Sequence, residues 1–194
     1  MLASGGGSNL QAIIDACAEG RLEAGVAVVI SNNSDSGALE RAARAGIPTA
    51  HLSSKTHPDP GLLGEAICRA LGERGVNLVV LAGYMRKLGP EVLEAFGGRV
   101  VNIHPALLPR FGGPGMYGMA VHRAVIESGE TITGASVHLV DDQYDHGPVI
   151  ARVEVEVLSG DTPETLAARV LAQEHKLYVE TLAKIALGQL ALPG

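Results

Sequence analysis

The sequence predicts an α/β fold: a mostly parallel, Rossmann-like doubly wound sheet that becomes mixed and antiparallel in its C-terminal half, with a long C-terminal helix. Three observations predict it. Short apolar runs alternate with helix-period segments through the first hundred residues, the pattern of strands buried on both faces. Two long strands, "ITGASVHLV" and "PVIARVEVEV", are then joined by one short polar segment, so they pair antiparallel. Finally, "TPETLAARVLAQEHKLY" opens with a cap-and-proline start and continues at spacings of three and four.

The elements follow in order. "SNLQAIIDACAEG" (8–20) places Leu10, Ile13, Ile14 and Cys17 at helical spacing and stops at Gly20. "VAVVIS" (26–31) is a buried strand, 35–46 a helix ended by Gly46, and "IPTAHL" (47–52) a short strand. Residues 60–75 are helical, and "NLVVLAG" (77–83) is the clearest buried strand. Pro90 opens a short helix, and "RVVNIH" (99–104) is the next strand. After a Gly- and Pro-rich loop comes the helix "MAVHRAVIESG", then the antiparallel pair. In the last helix Thr162 caps, Pro163 takes the first position, and Leu166, Val170, Gln173 and Leu177 follow at spacings of three and four, the expected inward stripe. No repeat or linker interrupts the chain. The reading is one domain over 1–194, with a first half to about residue 100 and a second half beyond it.

The chain has 194 residues, 46% hydrophobic and 19% charged, which suits one globular domain rather than a disordered segment. With 3% aromatics and no Trp, its core must come from Val, Leu, Ile and Ala. A net charge of −6 argues against a nucleic-acid-binding face. Cys17 and Cys68 read as two buried thiols rather than a disulfide. No apolar run has membrane-spanning length, no signal peptide precedes the first motif, and a cytoplasmic location is expected. Only Met1–Leu2–Ala3 precede the first turn, so the expectation is either a stunted first strand or a natural chain beginning upstream.

Four segments carry candidate chemistry. "SGGGSN" (4–9) lies between strand and helix, where Gly7, Ser8 and Asn9 form either a phosphate cradle or a tight turn with Ser8 or Asn9 as helix cap. In "NIHP", strand alternation sends Asn102 and His104 to one face and Ile103 to the other, at the strand's carboxyl end. "SVHLVDDQYDHGPVI" adds His138, Asp141, Asp142, Asp145 and His146. An Asp–His couple tuning an imidazole is favoured there over a metal site built on His104 and His138, because no metal-ligand spacing is present. Asp142 and His146 read as a solvated turn, and His51, His57 and His122 as surface residues. Arg169, Gln173 and Glu174 matter only if the last helix lines the same cleft.

Taken together, "SGGGSNLQAIID", "VVLAGYMRKL", "VVNIHPALLP", "GASVHLVDDQYDHGPVI" and "LAQEHKLY" resemble the glycinamide ribonucleotide formyltransferases, of the folate-dependent formyltransferase family. The motifs stand in the family's order over nearly the whole chain. The resemblance implies formyl transfer from 10-formyltetrahydrofolate, as co-substrate, to the amine of 5-phosphoribosylglycinamide in purine biosynthesis. It implies Asn102, His104 and Asp145 as the catalytic trio, with Asp145 holding His104 charged. It further implies Gly7, Ser8 and Asn9 on the phosphate and Glu174 on the ribose. The folate would meet Met85, Arg86, Lys87, Leu88, Asn102, Val140, Asp141 and Asp145. Expected partners are these small molecules, with no nucleic acid, membrane or metal, and with room for a homodimer.

Three alternatives are weighed. A formyltetrahydrofolate deformylase would pass the formyl group to water, but those relatives carry an additional amino-terminal module. A non-catalytic nucleotide-binding domain has no use for the Asn102, His104 and Asp145 set. Methionyl-tRNA formyltransferase is disfavoured by the acidic charge.

Overall fold

The structure is a computed structural model, and it describes residues 1–193. Its elements are α1 (Ser8–Ala18), β1 (Val29–Ser31), α2 (Gly37–Arg44), β2 (Thr49–His51), α3 (Pro60–Gly72), β3 (Val79–Leu81), α4 (Pro90–Ala95), β4 (Val100–His104), α5 (Met119–Glu127), β5 (Ile132–Leu139), β6 (Val149–Glu156) and α6 (Pro163–Ala186).

The three amino-terminal residues do the work of a central strand. Leu2 bridges Ile30 on one side and Leu81 on the other, both in parallel. Its N–H donates to Val80 O at 2.9 Å, and its carbonyl accepts from Ala82 N at 2.9 Å. The segment therefore joins the parallel β1–β2 pair to the β3–β4–β5–β6 set. The resulting spatial order is β2, β1, residues 1–3, β3, β4, β5, β6. Pairing is parallel as far as β4, then antiparallel through β5 and β6. Order reverses between residues 1–3 and β3, and a crevice outside the strand ends at such a switch point is where open α/β sheets hold ligands.

Strand alternation distributes the core over both faces. Val29, Val80, Val101, Ile103 and Val137 pack with α1 and α6. Ile30, Val79, Leu81 and Val100 pack with α3 and α4. A third cluster joins Val125 of α5, Ala135 and Val155 of the hairpin, and Leu166 and Val170 of α6. The parallel strands are shorter than the apolar runs suggest, because each ladder extends only as far as its neighbour pairs: β1 meets Thr49–His51 on one side and only the Leu2 bridge on the other. Cys17 and Cys68 are free thiols, half-buried rather than buried. No described helix is long and apolar enough to cross a membrane.

The caps of α4 and α6 follow the sequence. Thr162 and Thr165 form a reciprocal capping box with Pro163 in the first turn, and Pro90 opens α4. The buried stripe of α6 differs from the expected one. It runs Leu166, Val170, Glu174, Tyr178 and Leu182, not through Gln173 and Leu177. Repeated steps of four carry the stripe onto Glu174 and Tyr178, so a carboxylate is placed inside. Tyr178 is fully buried, and its hydroxyl lies 2.9 Å from Leu81 O and 3.1 Å from Val101 O, fastening α6 to β3 and β4 beneath the crevice.

Candidate active site

A cavity of about 540 Å³ opens at the carboxyl ends of β3 and β4. On one wall are Met85, Arg86, Lys87 and Leu88, on another Val140, Asp141 and Asp145, and at the base Asn102 and His104. Asn9 and Glu174 close the far side. Most of the expected site residues thus converge from separate segments. Gly7 and Ser8 stand beside the cavity without lining it.

The glycine loop is built for a bare helix start. Gly7 caps α1 at φ 73° with no side-chain cap, so neither Ser8 nor Asn9 plays that part. A Cβ on Gly7 would come within 2.8 Å of the Ala38 backbone, so only glycine fits. The Asn9 side chain turns instead to Glu174: Nδ2 donates to Oε2 at 2.7 Å, leaving Asn9 Oδ1 buried and unpartnered. Burial raises the Glu174 pKa, and the Asn9 bond works against that shift. Arg169 is spent elsewhere, in a two-armed pair with Asp161 at 2.7 and 2.8 Å.

At the other end, Asp145 Oδ1 lies 3.5 Å from His104 Nδ1 and 3.6 Å from His138 Nε2. Its second oxygen accepts from Gly113 N at 2.9 Å. Asp145 adopts φ 53°, a left-handed conformation uncommon for a non-glycine residue. Gly147 makes the return possible, since a Cβ there would sit 2.0 Å from Leu139 O. Burial alone would raise the Asp145 carboxyl, but the His138 and His104 rings and the Gly113 N–H outweigh it and hold the pKa low. Asp145 is therefore a carboxylate.

Burial opposes the charge expected on His104. The ring is 3% exposed, and burial lowers its pKa more than Asp145 and the Phe111 carbonyl raise it. Nε2–H donates to Phe111 O at 2.8 Å in either protonation state, and in the neutral ring that bond leaves the lone pair of Nδ1 facing Asp145. The couple is an acceptor waiting for one proton.

Two histidines were underrated in the sequence. His138 pairs with Asn102 across the antiparallel ladder. Its Nδ1–H donates to Leu139 O at 2.8 Å, so Nε2 accepts from Asn102 Nδ2 at 3.0 Å and fixes the amide's orientation. The available signal was its register: it lies on a buried strand, opposite a proposed catalytic residue. His122, expected at the surface, is 5% exposed, lines the cavity, and has no partner for Nδ1. Burial lowers its pKa, with His104 adding to the shift. It falls on the same α5 stripe as Val125, three residues on, which marks it as inward-facing. Asp142 is exposed as expected, while His146 pairs with Asp141 at 2.8 Å rather than standing free. Among the described residues no cluster of His, Cys, Asp or Glu could hold a metal ion.

An open α/β sheet with a carboxylate–imidazole couple in a crevice at its switch point has the form of an α/β enzyme site equipped for proton transfer. The comparisons make that class specific. The family model described as formyl transferase matches residues 1–182, and the chain belongs to that family. Phosphoribosylglycinamide formyltransferase of Escherichia coli is 40% identical over 99% of this chain and 88% of its own length. The chloroplastic enzyme of that name from Arabidopsis thaliana is 44% identical over 94% of this chain, which spans 63% of the plant protein's length. The crystal structure of glycinamide ribonucleotide transformylase 1 from Symbiobacterium toebii superposes with a TM-score of 0.92, at 44% identity, over 100% of this chain and 89% of that one.

Proposed function

We propose that the protein transfers the formyl group of 10-formyltetrahydrofolate to the amine of 5-phosphoribosylglycinamide, a step of purine biosynthesis. The observation that carries this reading is one crevice holding an imidazole–carboxylate couple at one end, with an uncapped glycine-loop helix start beside the other. The relatives' names point the same way.

The phosphate would rest on the N–H groups of Gly7, Ser8 and Asn9, where the helix start favours an anion. Glu174 and the orphan Asn9 Oδ1 are adjacent acceptors, which suits two ribose hydroxyls. The folate ring would lie between Met85–Leu88 and the Val140–Asp145 segment. The first half of the domain would then hold the nucleotide and the second half supply the chemistry.

In the reaction the amine nitrogen forms a bond to the formyl carbon, and the carbonyl pair moves onto oxygen. Asn102 uses one N–H on His138; the other can meet the developing oxyanion. The attacking nitrogen loses its proton to His104 Nδ1, and the adjacent Asp145 carboxylate stabilises the imidazolium formed. The tetrahedral species collapses as the oxyanion pair re-forms the carbonyl and the bond to folate N10 breaks, N10 taking the proton held by His104. His104 is thus read as a base in the first step rather than a resting cation.

The test is product analysis. The protein is incubated with 10-formyltetrahydrofolate and 5-phosphoribosylglycinamide, and both products are followed by mass spectrometry. Equal amounts of tetrahydrofolate and formylated ribonucleotide support the reading. Formate in place of the formylated ribonucleotide identifies a deformylase.

A further inference from the structure

We propose that Arg41, which lies outside the cavity, is a positioning residue for the phosphate subsite: it sets the direction in which the glycine loop presents its N–H groups. The inference rests on the reading of that loop given above and concerns what orients it.

Two successive peptides of the loop are fastened to α2. Gly5 O accepts from Ala38 N at 3.1 Å, and Gly6 O accepts from Arg41 Nε at 2.7 Å. The loop seats closely there, with Gly6 O 3.0 Å from where a Cβ on Gly37 would stand. The one cis bond among the described residues is Leu108–Pro109, so these peptides are trans. In a trans peptide C=O and N–H point in opposite directions. Two carbonyls held toward α2 therefore aim the N–H groups of Gly6 and Gly7 away from it. Those of Ser8 and Asn9, at the uncapped start of α1, add to the set. Among the described residues none of these four N–H groups donates to another group. The open set has the form of an anion-binding nest.

A second observation points to a ligand at this place. Asn9 is 8% exposed and lines the cavity, and its Oδ1 is buried without a partner. Arg41 is itself held in position: Nη1 donates to Gln11 Oε1 at 3.1 Å, and Gln11 Nε2 donates to Asp15 at 2.8 Å. One guanidinium therefore joins the loop, α2 and α1, a two-armed grip that a lysine cannot reproduce. Without it, the Gly6–Gly7 peptide is free to rotate, since neither glycine restrains its backbone sterically.

The experiment compares Arg41→Ala and Arg41→Lys with the parent chain. KM for 5-phosphoribosylglycinamide, KM for 10-formyltetrahydrofolate and kcat are measured, together with kcat/KM for the dephosphorylated glycinamide riboside. Arg41→Ala is expected to raise KM for the ribonucleotide about tenfold, the worth of one charge-assisted hydrogen bond. Arg41→Lys is expected to raise it several-fold. Folate KM, kcat and kcat/KM for the riboside should stay within about twofold of the parent's. The KM ratio should also hold between low and high salt, because a fixed peptide orientation is not screened, whereas a distant charge is. An unchanged ribonucleotide KM, a riboside penalty equal to the ribonucleotide's, or a ratio collapsing with salt overturns the proposal. A parent chain that does not distinguish ribonucleotide from riboside refutes instead the phosphate reading of the loop.

Discussion

Asn9 and Glu174, 165 positions apart, share a buried hydrogen bond of 2.7 Å that joins the start of α1 to the middle of α6. It closes one end of the crevice and leaves Asn9 Oδ1 buried without a partner. Glu174→Gln keeps an oxygen for Asn9 but removes the charged acceptor. KM for 5-phosphoribosylglycinamide should rise about 10- to 100-fold, the range of one hydrogen bond to a charged group, with folate KM unchanged. Steady-state kinetics with each substrate varied in turn checks this.

Asp145 stands between two imidazole nitrogens at 3.5 and 3.6 Å. Asp145→Asn removes the charge that stabilises a protonated His104, and kcat should fall by about 10²- to 10⁴-fold, the usual worth of proton-transfer catalysis. An unfolding midpoint near the parent's would show that the loss is chemical. Turnover within about threefold of the parent's would remove Asp145 from the mechanism.

Burial sets the pH dependence. His104, read as the base, has a pKa below its ordinary value of 6.5, so kcat/KM should rise with pH along an acid limb whose midpoint lies below 6.5. An acid-limb midpoint above 7 would mean a charged resting His104.

Stability should show the same asymmetry. His104, His122 and His175 all have lowered pKa values in the fold, with burial as the leading cause. The unfolded chain then takes up protons first. The free energy of unfolding is therefore intact above about pH 6.5 and falls as the pH drops through that value toward each folded pKa. His122→Gln should flatten the slope between pH 7 and 5, measured by urea unfolding across that range.

Tyr178 carries no chemistry but supports the floor of the site. Its hydroxyl serves Leu81 O and Val101 O at the base of the crevice. Tyr178→Phe should cost about 1–2 kcal/mol of stability, the scale of a buried hydrogen bond left unmade. The urea midpoint reads it directly.

Much of this was legible in the residues. Asn102 and His104 alternate with Ile103; Ile103 does pack in the α1 and α6 core, although it also reaches the cavity that the other two line. Pro90, Thr162 and Pro163 marked helix starts by local chemistry alone. What pattern did not reveal depended on contacts across the fold. Nothing near Gln173 and Glu174 says which faces inward; the long step-of-four stripe decides it, and Tyr178 fixes it to the sheet. The state of His104 depends on the Phe111 carbonyl and on burial beneath the loop, neither visible in "NIHP". His138 gained its part only from antiparallel register with Asn102.

The central claim is that the crevice delivers a formyl group to a bound amine and not to water. The direct measurement is the rate of formyl release from 10-formyltetrahydrofolate with and without 5-phosphoribosylglycinamide. The account predicts release that depends on the amine and that is nearly abolished in His104→Ala. Release at the same rate without the amine, or undiminished in His104→Ala, would contradict it.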